Sequence, residues 1–153
     1  MDLILWRHAE AEEADAGGDD LGRALTPKGE RQAERMAEWL NRRLSHSTRI
    51  LVSPAVRCQE TAKALGRKFR TVDELAPGAS AQDVLDVARW PEASGAVLIV
   101  GHQPTLGLAA AQALIGVAQP WSIKKAAVWW IRHRPRDHED KVVLQAVQSP
   151  DCL

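Results

Sequence analysis

The sequence has no surplus of either charge: 20 Lys and Arg stand against 20 Asp and Glu, a formal net charge of zero. No global field therefore argues for nucleic acid or for a membrane surface as partner. Cysteine is scarce. Cys58 and Cys152 lie far apart and form no CxxC or metal-ligand spacing, so they read as ordinary thiols of a reducing compartment. Long apolar runs are also missing, and no segment approaches the length of a membrane span. The N-terminal apolar run is too short for a secretion signal, lacks a basic flank and is broken by Arg7. There is no GxxxxGK[ST] loop and no DxD-type magnesium pattern at a strand end, which disfavours nucleotide–metal chemistry. Neither repeats nor low-complexity tracts nor linkers interrupt the chain. A single cytoplasmic domain over residues 1–153 is the expectation.

What the chain does have is one kind of edge, built three times. Leu3-Ile4-Leu5-Trp6 is a short apolar run that ends in Arg7-His8 and a polar, glycine-rich loop. Such a run reads as a buried strand, and ligands of open α/β sheets sit outside the carboxyl ends of their strands. Thr26-Pro27 then starts a helix, with Thr as cap and Pro at the first position. Ala33, Met36, Ala37, Leu40 and Leu44 form its core-facing stripe, and its Glu and Arg residues read as a solvated face. Ile50-Leu51-Val52 is the second strand. Ser53 and Pro54 read as cap and first residue of the helix that carries Arg57 in its first turn. A helix N-terminus favours an anion, and a guanidinium adds a planar fork for phosphate oxygens. The third edge is the all-aliphatic Ala96 to Val100, followed by Gly101-His102-Gln103-Pro104 and a helix from Thr105 to about Ile115.

The remaining segments read as structural. Lys68 to Val72 suits a short edge strand, and Ser80 caps a helix through Val84, Leu85 and Ala88. The C-terminal part reads as two strands, Ala126 to Arg132 and Lys141 to Val147, around a charged loop that holds His133 and His138. Histidines at a hairpin tip are more often solvated than ligating, so no metal site is read there. The tryptophans read as sheet-face packing, with Trp121 the one candidate for a surface contact.

Together the three edges predict a pocket for a phosphoryl group. Two histidines and at least two arginines converge beside two helix N-termini, which suits a dianionic group of phosphate shape. Chemistry without a metal or other cofactor needs a nucleophile and fixed cations. A neutral imidazole can serve as the first, and Arg7, Arg57 and a protonated His102 as the second.

These residues also carry a family resemblance. Arg7-His8-Ala9-Glu10 after an apolar strand, Leu25-Thr26-Pro27-Lys28-Gly29, Ser53 to Ala62 and Gly101-His102 resemble, in order, the blocks of the histidine phosphatase superfamily. The short length and the Leu-Thr-Pro-x-Gly block resemble its SixA-type protein phosphohistidine phosphatases. The resemblance implies a three-layer α/β/α sandwich with a central, mostly parallel sheet, like that of the phosphoglycerate mutases, without a lid subdomain. It implies that His8 is the phosphorylated nucleophile and that Arg7, Arg57 and His102 clamp the phosphate. Arg23, Ser53 and Gln103 are the further substrate-binding residues expected. A phosphohistidine-bearing protein of the phosphotransfer type would be the substrate, and inorganic phosphate the product.

Two departures from the family pattern stand out. Ala9 replaces the glycine that usually follows the histidine, and the acid that protonates the leaving group is not assigned. Glu10, Asp19 and Asp20 are the candidates for it. An imidazole leaving group, whose conjugate acid has a pKa near ~6.5, needs less help than an alcohol. Short loops after the catalytic strands leave little material for a lid, which suits a substrate side chain protruding from another protein. A small-molecule phosphomonoesterase and a non-catalytic phosphate-binding module are the alternatives.

Overall fold

Three strands buried on both sides form the middle of the molecule, and the helices that follow them cover its two faces. The computed structural model describes residues 1–14, 17–136 and 139–153. In chain order the elements are β1 (Asp2–Arg7), α1 (Pro27–Asn41), β2 (Arg49–Val52), α2 (Val56–Lys63), β3 (Arg70–Thr71), α3 (Ala81–Ala88), β4 (Ala96–Gly101), α4 (Thr105–Ile115), β5 (Val128–Arg136) and β6 (Glu139–Gln148). The strands make one six-stranded sheet in the order β3-β2-β4-β1-β5-β6. The first four in that order pair in parallel; β5 and β6 complete it as an antiparallel hairpin.

Alternation along each strand divides the core in two, because successive side chains point to opposite faces. Leu3, Leu5, Val97 and Ile99 pack with Val84, Leu85 and Ala88 of α3 and with Leu106, Ala109 and Ala110 of α4. Ile4, Trp6, Leu98 and Val100 pack with Ala33, Met36, Ala37 and Leu40 of α1 and with Cys58 and Ala62 of α2. The result is the expected α/β/α sandwich. No described helix is long and apolar enough to cross a membrane.

The local starts explain themselves. Thr26 accepts the Gly29 backbone N–H at 2.9 Å as N-cap of α1, with Pro27 at the first helical position. Ser80 and Asp83 form a capping box for α3. Several readings differ from the structure. Ser53 and Pro54 do not start α2: the cap position is Ala55, which has no side-chain bond to offer, Val56 is the first helical residue, and the Ser53 hydroxyl faces His102 instead. Pro104 is the residue before α4, not its first. His133 is not in a solvated loop, because strand pairing continues through Arg136 and Glu139. It is buried in β5, its ring edge-on to Trp90 with centroids 5.9 Å apart. His138 lies outside the described residues. The expected strand at Lys68 to Val72 is cut to two residues at the sheet edge, and Trp121 packs against Trp129.

Candidate active site

The parallel register brings the three edges level. Arg7 lies opposite Gly101, and Val52 opposite Val100, so His8, Ser53 and His102 leave the sheet side by side. His8 and Ser53 each donate a backbone N–H to β4, at the carbonyls of Gly101 and Val100. The rings of His8 and His102 stand with centroids 5.4 Å apart, tilted by 55°. Arg57, on the first turn of α2, enters the same place and is only 3 % exposed.

Each ring is fixed by a neighbour. His8 Nδ1 is 2.7 Å from the carbonyl oxygen of Ala9, which can only accept. A neutral His8 therefore carries its proton on Nδ1 and presents the lone pair on Nε2. His102 Nε2 hydrogen-bonds the Ser53 hydroxyl at 2.7 Å, and that hydroxyl accepts the Ala55 N–H at 3.3 Å. The loop ahead of β5 closes the far side. Ala126, at φ +62°, donates its N–H to the His8 carbonyl and accepts the Trp6 indole N–H at 2.8 Å. A residue other than glycine holds such a φ only where its surroundings over-determine it. Ala9 creates no comparable difficulty: it is buried, and its N–H reaches the Thr61 hydroxyl at 3.0 Å.

The electrostatics favour a neutral base among fixed cations. Burial, then the charges of Arg57, Arg7 and Arg23, push His8 down to about 4, against the Ala9 hydrogen bond, which pulls it up. Burial, Arg57 and His8 push His102 down to about 3. His102 is thus neutral beside the buried Arg57; the protonated ring expected from the sequence belongs to the site with a phosphoryl group in it. Arg7 Nη1 donates to the Ile123 carbonyl at 2.9 Å. Arg7 Nε and Arg57 Nε are buried with no hydrogen-bond partner among the described residues. A donor left in that state costs about 1–3 kcal/mol, and an anion received by the pair would remove the cost.

The other predicted residues fall into two groups. Arg23 and Asp20 join the site: the Asp20 carboxylate takes Arg23 Nε at 3.0 Å and Arg57 Nη2 at 3.3 Å, and its carbonyl takes Arg57 Nη1 at 2.8 Å. Burial raises Asp20, but the charge and hydrogen bonds of Arg57 and Arg23 outweigh it, so its carboxyl sits below the ordinary range. The remaining carboxylates and amides are tied into the frame. Glu10 accepts the Thr26 hydroxyl at 2.8 Å. Asp19 caps the 3-10 turn Asp20–Gly22. Gln103 spans from the Gly107 N–H to the Trp121 carbonyl, at 2.7 and 2.9 Å.

Residues 3–80 match the family model of the histidine phosphatase superfamily, branch 1. The chain belongs to this superfamily. A curated relative, the phosphohistidine phosphatase SixA homolog of Haemophilus influenzae, is 34 % identical over 143 residues, covering 84 % of this chain and 85 % of that one. Phosphohistidine phosphatase SixA of Escherichia coli is 29 % identical over 131 residues, 78 % of each chain. The crystal structure of a proposed phosphohistidine phosphatase SixA from Agrobacterium tumefaciens aligns over 97 % of both chains with a TM-score of 0.79 and 28 % identity.

In this member of the superfamily the run Arg57 to Thr61 does more than its sequence showed. Cys58 lies 3.5 Å from His102 Nε2, a thiol that burial pushes up to about 12. Gln59 donates to the Ser53 carbonyl at 2.8 Å, and Glu60 accepts the Leu25 N–H at 2.9 Å. Thr61 ties Ala9 N–H to the Arg57 carbonyl, the latter at 2.7 Å. The available signal was position: an unbroken polar run in the first two turns after a buried strand has its nearest partners at the strand ends.

Proposed function

We propose that this protein hydrolyses phosphohistidine on a partner protein, through a covalent phospho-His8 intermediate and without a metal. One observation carries the proposal: His8 has its Nδ1 held on the Ala9 carbonyl and its pKa held at about 4, among Arg7, Arg23 and Arg57. That is a nucleophile already neutral, oriented and surrounded by charge for the group it attacks.

The Nε2 lone pair of His8 attacks phosphorus, and the P–N bond to the substrate ring breaks. The electron pair leaves on the departing ring nitrogen, which is neutral once the ring's other nitrogen has taken a proton from water. Water then attacks phospho-His8, the new P–N bond breaks, its electrons return to Nε2, and inorganic phosphate departs with the remaining proton. Arg7, Arg57 and Arg23 hold the equatorial oxygens in both steps. Burial, then Arg57 and His8, keeps His102 neutral; the charge of an incoming dianion acts in the opposite direction and favours its protonated form. The same three cations oppose a divalent ion, which supports the metal-free reading.

Phosphohistidine is favoured over an alcohol ester by the state of the carboxylates. Glu10 and Asp19 are spent on the frame, and Asp20 is held ionised by two arginines. An alkoxide would need an acid in their place; an imidazole does not. The test is intact-protein mass after brief exposure to a phosphohistidine-bearing phosphotransfer protein, quenched in alkali. A transient phosphoryl adduct on the wild type, absent from His8→Ala, with loss of phosphate from the donor, is the expected result. A donor that stays phosphorylated defeats the proposal.

A further inference from the structure

The charge balance of the whole chain conceals a local separation on α1. Lys28, Arg31 and Arg35 follow one another at spacings of three and four residues and share one face of the helix, while Glu30 and Glu34 share another. The basic face turns toward the active site. Lys28, Arg31 and Arg35 line one wall of a groove of about 570 Å³. Lys124 and Lys125, in the loop ahead of β5, line it as well, and so does Arg7. Glu30 and Glu34 of α1 line a separate depression with Glu60 and Lys63, which Arg7 does not line.

The groove is under-neutralised. Its acidic lining residue, Asp151, pairs with Lys124 at 3.3 Å, and Arg35 donates to the Leu153 carbonyl at 2.7 Å. Lys28, Arg31 and Lys125 are exposed and have no ion pair among the described residues. Like charges one turn apart on a helix oppose folding. Grouping them beside the phosphate clamp raises the local concentration of anionic partners instead. A volume of about 570 Å³ holds a few side chains rather than the backbone track of a nucleic acid.

We infer that this groove is the docking site for acidic side chains flanking the phosphohistidine of the partner protein. The inference rests on the phosphohistidine reading above. Arg7 is the hinge between the two sites: its guanidinium belongs to the clamp, and its outer edge forms part of the groove. A substrate whose phosphoryl group reaches His8 therefore lays the surface beside its phosphohistidine along α1. Glu or Asp there meets Lys28, Arg31 and Lys125; Lys or Arg there is repelled.

The experiment compares two phosphohistidine peptides of equal length, one flanked by glutamates and the other by glutamines. Each is hydrolysed by the wild type and by the triple variant Lys28→Glu, Arg31→Glu, Lys125→Glu. The wild type should prefer the acidic peptide by about tenfold or more in kcat/KM at low salt. The preference should appear in KM, shrink as salt rises, and vanish or reverse in the triple variant. Turnover of the glutamine peptide should stay within about twofold in the variant, which also checks its fold. Equal kcat/KM for both peptides in the wild type, or a preference that survives in the variant, overturns the docking inference and leaves the phosphohistidine reading standing. Hydrolysis of neither peptide by the wild type overturns that reading, and the docking inference with it.

Discussion

The Ala9 carbonyl and the His8 Nδ1 atom, 2.7 Å apart, decide which nitrogen of the His8 ring is free. The contact is local in sequence and depends on the chain turning sharply after β1. That turn is held by Thr61 on one side and Ala126 on the other, bonded to Ala9 N and His8 N–H-accepting carbonyl respectively. Orientation of the His8 ring is thus a property of backbone geometry, secured by distant segments.

The His8 ring should titrate near pH 4, well below the ordinary 6.5. Its Cε1–H resonance followed by NMR against pH in the free protein measures this directly, and a midpoint near 6.5 would refute it. The linkage has a definite sign. Between these values the unfolded chain binds a proton that the folded one refuses, so the contribution of His8 to stability is complete above 6.5 and lost as the pH falls toward 4. At 1.36 kcal/mol per unit the loss amounts to about 3 kcal/mol. Chemical denaturation at pH 5 and pH 7 should show part of it, and His8→Ala should lack it.

On the proposed function, Asp20 competes with phosphate for Arg57 and Arg23. Because its carboxylate is exposed at the outer end, the competition is weak, roughly 0.2–1 kcal/mol. Asp20→Asn should strengthen inhibition by inorganic phosphate by about two- to fivefold, with kcat little changed. A fall in kcat of ~100-fold would instead identify Asp20 as the acid of the reaction.

Thr61→Val keeps the shape of the side chain and removes the hydroxyl between Ala9 and Arg57. The buried Ala9 N–H loses its acceptor, at a cost of about 1–3 kcal/mol in denaturant unfolding. Activity should fall further than stability explains, since the same bond aligns the nucleophile with the clamp. Unchanged kcat/KM in folded Thr61→Val would rule out that alignment.

Gly29 has no room for a side chain: a Cβ there would stand 2.0 Å from the Glu10 carbonyl oxygen. Gly29→Ala must push α1 off the loop that follows β1, and about 1–3 kcal/mol of stability should go with it. A midpoint of unfolding equal to that of the wild type would show the loop to be freer than its packing implies.

Much of the site was legible along the chain, for reasons of local physics. Strands covered on both faces must be almost wholly aliphatic, so Leu3 to Trp6 and Ala96 to Val100 declare themselves. A polar residue that ends such a run stands at the sheet's edge, so Arg7, His8 and His102 were assignable to one place once the strands were taken as parallel. Thr26 and Ser80 could be read as caps because the bond that a cap makes lies within its own turn. Ser53 carried the same signal and was misread, because its hydroxyl found a stronger partner in His102, 49 positions along the chain.

What the sequence by itself determined, then, is the sheet, its helices and the residues at the ends of its three central strands, since these follow from periodicity and from bonds made within a few residues. Only the tertiary structure decided the chemistry of those residues. Whether His102 is charged, which carboxylate meets the arginines, and whether His133 is wet or buried all depend on segments that the fold alone brings together. The same holds for Lys28, Arg31 and Arg35. On the helix they are a charged stripe among others; against Lys124, Lys125 and Arg7 they become a groove of one sign. Coulomb energy depends on distance in space, and the linear order of a chain does not contain it.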